Sequence, residues 1–104
     1  MSGVTVARMW RGWTTPANAK AYEAFLFDTL LPQVKALDGY VSAEVLHRMD
    51  GDQIAWVSIL KFASMEHIRQ FAGDTPEAAV LEPEALALLS RYDTHVTHFE
   101  CRAL

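Results

Sequence analysis

Cysteine is nearly absent: the 104-residue chain has one, Cys101. A single thiol cannot form a disulfide within the chain, nor supply a zinc site built on two or more cysteines, so a reducing, cytoplasmic setting is expected. No apolar run approaches the ~18 residues without charge that a membrane-spanning helix needs. Met1-Ser2-Gly3 leads into an alternating segment broken by Arg8 and Arg11 rather than into a signal-peptide core. Basic charge is also short. Nine Lys and Arg stand against thirteen Asp and Glu, a formal net charge of -4, so the footprint that drives phosphate binding is missing and nucleic acid is not an expected partner. G-x-G-x-x-G, G-x-x-x-x-G-K and G-x-S-x-G are absent, which argues against nucleotide cofactors and a serine-elbow nucleophile.

What the chain does have is apolar residues, 51% of the total. That is much for so small a domain, whose surface is large for its volume. One domain over residues 1–104 is expected, with either a large core or a buried interface. VTVARMWRGW (4–13) is β-branched and aromatic and reads as a strand. Thr15 then caps a helix with Pro16 at its first position, and Tyr22, Leu26, Leu30 and Val34 recur at a spacing of four over about 20 residues, bent or ended near Pro32. Asp38-Gly39 turns into a second strand with Val41, Ala43 and Val45 on one face, and Met49-Asp50-Gly51-Asp52 is a hairpin leading to IAWVSILKF (54–62). Ser64 caps a short helix ended by Gly73, two brief helical pieces follow at about 77–80 and 83–89, and RYDTHVTHFEC (91–101) is the last strand. The order βαββαβ predicts an α+β, ferredoxin-like fold, one antiparallel sheet with helices on one face.

The third strand is apolar on both faces: Ala55, Val57 and Ile59 on one, Ile54, Trp56, Leu60 and Phe62 on the other. Helices cover one set only, and alternation does not decide which. A homodimer that covers the second face is therefore expected.

The stretch LLPQVKALDGYVSAEVLHR and the junction KFASMEHIRQFAG resemble the antibiotic biosynthesis monooxygenase-like proteins of the dimeric α/β barrel superfamily. The resemblance implies two sheets facing each other across a dimer, a pocket between sheet and helices in each subunit, and, in some members, oxygenation of phenols and quinols without a cofactor. At the junction the family commonly has Trp, Ser and His where this chain has Phe62, Ser64 and Phe71. The missing His is the iron ligand of heme-binding relatives, and His67 lies one turn before that place. No cofactor is expected.

Of four histidines, His95 and His98 are the candidate general bases, and alternation leaves open which enters a pocket. Their H-x-x-H spacing puts them on opposite strand faces, so no metal site is expected. Arg8 shares a face with Trp10 and could steady an enolate or phenolate, or pair with Glu44 instead. Trp10, Trp56, Phe62, His67 and Phe71 are the candidate wall for a small aromatic or quinone-like ligand, although Trp56 and Phe62 could equally belong to a dimer interface. The expected function is cofactor-independent monooxygenation of such a molecule. The alternative is non-catalytic binding on the same fold, as a small-molecule-binding or stress or pathway accessory protein.

Overall fold

The computed structural model describes residues 4–104; Met1-Ser2-Gly3, part of the stretch read for export signals, lie outside the described residues. Strand β1 (Val4–Thr14) ends at Thr15, whose hydroxyl accepts the Asn18 N–H at 3.3 Å and starts helix α1 (Pro16–Phe25). The helix does not stop at Pro32. It passes through a π-helical segment (Leu26–Leu30) into α2 (Leu31–Lys35), with the Leu31 N–H bonded to the Leu26 carbonyl. Proline has no N–H to give and its ring crowds the carbonyl one turn back, and a widened turn relieves both without ending the helix.

Strands β2 (Tyr40–Asp50) and β3 (Gln53–Phe62) form the expected hairpin. Gly39 makes the entry to β2 possible: its φ is +79°, and a Cβ there would sit 2.2 Å from the His67 ring. The β2–β3 register shifts between Tyr40 and Ser42, and the bulge leaves Val41 49% exposed, off the apolar face its alternation predicts. Helix α3 (Met65–Ala72) is capped by Ser64 and ended by Gly73 at φ +83°. After α4 (Pro83–Leu88) come β4 (Leu89–Tyr92) and β5 (Thr97–Arg102), both antiparallel to β1 on one edge, which completes the order β2-β3-β1 with β4 and β5 together in the fourth place.

Two expectations are corrected here. Residues 77–80 are not helical, and the last strand is interrupted at 93–96. The reason is common to both. Ala79 N–H bonds the Thr94 carbonyl and Val96 N–H bonds the Glu77 carbonyl, so the two segments spend their backbone groups on each other, and neither helix nor ladder can form there.

Register decides the faces of the sheet. Trp56, Leu60 and Phe62 point to the helices: Trp56 (3% exposed) packs with Tyr22, Phe25 and Leu26, and Phe62 (0%) with Val34 and Ile68. The set facing away is Ala55, Val57 and Ile59, extended by Met9 on β1, Leu46 on β2 and Phe99 on β5. Leu46 and Phe99 are about half exposed. Among the described residues no helix is long and apolar enough to cross a membrane.

Candidate functional site

Alternation in β1 places Val6, Arg8 and Trp10 opposite Phe62, Leu60 and Ser58, on the helix face. Arg8 is 3% exposed. Its Nη1 donates to the Pro76 carbonyl at 2.5 Å and to His98 Nε2 at 3.1 Å, and its Nη2 to the Ala78 carbonyl at 2.9 Å. The guanidinium also lies 5.5 Å from the Phe71 ring centre. Arg8 therefore ties the irregular segment 74–82 down onto the sheet. Burial lowers its pKa to about 10 against a partly compensating attraction from Glu77, so the cation persists at neutral pH.

These contacts use three of the five guanidinium donors. Nε has no partner among the described residues. None of their fully enclosed side-chain nitrogens and oxygens is unpaired, so Nε keeps access to open space. Arg8 also borders a cavity of about 70 Å³, together with Trp10, Tyr22, Phe25, Leu60 and Phe71 and, from the segment after α3, Ala79–Glu82 and Ala85. The same reasoning applies to Tyr22. The residue is 2% exposed, its ring meets Trp56 edge-on at 5.2 Å, and its hydroxyl has no partner among the described residues and is not fully enclosed. Burial raises its pKa, which keeps it a protonated donor.

The predicted site residues separate. Arg8, Trp10 and Phe71 come together on the cavity wall. Trp56 and Phe62 lie beneath it as core, neither lining the cavity nor facing away from the helices. Trp56 Nε1 is spent on Thr14 Oγ1 at 3.0 Å. His67 covers the Gly39 turn and takes a hydrogen bond with Ser64 at 2.8 Å, away from the cavity. His95 is exposed in the interruption between β4 and β5 and contacts Thr94 Oγ1. His98 sits beside Arg8 on the helix face but does not line the cavity. Because a guanidinium only donates, His98 Nε2 must accept, which leaves the proton on Nδ1 and the ring neutral. Burial first and the Arg8 charge second lower its pKa, with Glu77 opposing. Arg8 does not pair with Glu44, which meets Lys61 at 3.6 Å instead. No group of three or more His, Cys, Asp or Glu among the described residues could hold a metal ion.

Tyr22 and Glu82 are two of the cavity-lining groups that the sequence reading missed as functional residues. Tyr22 had a signal: a hydroxyl on an otherwise apolar helical stripe needs a partner or an opening. Glu82 had none, because only the path of the segment after α3 brings it there.

No protein-family profile and no curated protein matches the sequence. Solved structures do. A Shewanella oneidensis protein is similar over 98% of this chain and 96% of its own at 14% identity, TM-score 0.70. A protein of unknown function from Nitrosomonas europaea is similar over 98% and 93% at 20% identity, TM-score 0.69. A proposed antibiotic biosynthesis monooxygenase from Bacillus cereus is similar over 99% and 97% at 11% identity, TM-score 0.57. At such identities the fold is what is shared: the chain has the ferredoxin-like α+β fold that these proteins, a proposed antibiotic biosynthesis monooxygenase among them, also adopt.

Proposed function

We propose that the chain, as a homodimer closed over the open sheet face, binds a small aromatic molecule bearing an acidic hydroxyl as its anion and supports its oxygenation by dioxygen without a cofactor. The carrying observation is the pair of buried donors, Arg8 and Tyr22, on an otherwise mostly apolar cavity. In a low-dielectric cavity such donors favour an oxyanion over its neutral acid. The electron-rich anion then reduces dioxygen. An activated CH₂ becomes C=O, one oxygen atom enters the product and the other leaves as water with the two hydrogens. Glu82 is the carboxylate on the cavity wall, and it takes the first proton. His98, its Nε2 lone pair given to Arg8, holds the guanidinium in place and is not the base. The likeness to proposed antibiotic biosynthesis monooxygenases from Bacillus cereus and Chloroflexus aurantiacus supports the reaction class.

One observation favours binding without turnover: among the described residues no histidine lines the cavity. Oxygen uptake with a panel of anthrones and quinols separates the readings. The oxygenase reading expects uptake that falls about 10²-fold in Tyr22→Phe, the effect of losing one oxyanion donor. Saturable binding of the panel with no uptake identifies a binder, and no binding at all rejects both.

A further inference from the structure

Beyond the π-helical segment, between it and β2, lies a second cavity of about 350 Å³, lined by Phe27, Leu31, Val34, Ala43 and Val45. It shares Leu26, Leu30, Ser58 and Leu60 with the Arg8 cavity, so the two adjoin across two helical leucines and two neighbouring positions of β3. The volumes are unequal. A cavity of roughly 150 Å³ takes one benzene ring, so the Arg8 compartment, about 70 Å³, is too small for a whole aromatic ligand and the second has room to spare. At the junction the Ser58 hydroxyl has no partner among the described residues and is not fully enclosed. The ionisable residue on the second wall, Glu44, is 62% exposed at its side chain and reaches out to Lys61. The remaining wall is apolar apart from Ser58. Leu26, Phe27, Leu30 and Leu31, on the π-helical segment and the residue that follows it, all line the second cavity.

We infer that the two cavities form one bipartite site, with the ligand's anionic oxygen at Arg8 and Tyr22 and its ring and hydrophobic substituent laid past Leu30 into the second compartment. The inference rests on the phenol-binding reading and names its substrate class: phenols carrying an extended alkyl chain rather than small unsubstituted ones.

Titration calorimetry with 4-methyl-, 4-butyl- and 4-octylphenol tests it on the intact chain. Affinity should rise about fourfold per added methylene, the factor for moving one from water into an apolar site. Ala43→Phe fills the second cavity and Phe27→Asp places a charge at its exposed lip, where Phe27 is 52% exposed and folding tolerates the change. Either variant should weaken 4-octylphenol far more than 4-methylphenol and so flatten the chain-length dependence. If 4-methylphenol binds but longer chains gain nothing, or if both folded variants keep the wild-type slope, the bipartite site is wrong while the phenol reading stands. If no phenol binds, the reading fails and the inference with it.

Discussion

Arg8 and His98 face each other across adjacent strands, and the guanidinium donates to the imidazole Nε2 at 3.1 Å. Two groups that are both cationic in acid thus share one site, held together only while the imidazole is neutral.

The sign of the resulting pH dependence follows from the lowered pKa of His98. In the folded chain the ring resists protonation that the unfolded chain accepts near pH 6.5. The contribution to stability is full above that pH and is lost as pH falls below it toward the folded value. Between pH 7.5 and 5 the melting temperature of wild type should fall more than that of His98→Gln, whose amide oxygen accepts from Arg8 at every pH. Equal slopes in the two proteins would remove the Arg8–His98 pair as the cause.

The buried hydrogen bond from Trp56 Nε1 to Thr14 Oγ1, at 3.0 Å, joins a 3% exposed residue to a 0% exposed one. Thr14→Val should cost about 1–3 kcal/mol, because it leaves the indole N–H unpaired. Trp56→Phe costs more, through lost volume as well. A double-mutant cycle by urea unfolding should return a coupling of about 1 kcal/mol; additivity within error would show that the bond contributes nothing net.

On the open face, Met9 stands opposite Ile59, Val57 stands opposite exposed Leu46, and exposed Phe99 stands opposite Ala7. A second copy covering this patch predicts a light-scattering mass of twice 11.7 kDa at micromolar concentration. Val57→Lys puts an unpaired charge into the centre of that contact and should return the mass to one chain with the fold retained by circular dichroism. A wild-type mass of 11.7 kDa would rule the dimer out.

The fold was legible where local chemistry and period agree. Thr15-Pro16, Ser64, Gly39, Gly51 and Gly73 mark ends and turns that appear where they were expected, because caps and positive-φ residues act within a few positions of themselves. The site was legible in part. Arg8 and Trp10 on one face needed only the period of a strand. Trp56 and Phe62 as wall residues needed to know where the cavity ends, and it ends above them. His95 and His98 could not be told apart, since four residues of the last strand stand opposite two of β1, and that count depends on a segment far away in the chain.

By itself, then, the sequence determined the order of elements, the antiparallel sheet and the surplus of apolar surface, all consequences of periodicity and composition. Only the tertiary structure decided which face of β3 meets the helices, because a strand apolar on both sides has no preference until the helices choose. It alone decided that residues 77–80 would not be helical, because their backbone found Thr94, Val96 and Arg8 as partners. And it alone set Arg8 and Tyr22 on one cavity, since they sit on elements whose meeting is a matter of packing and not of local chemistry.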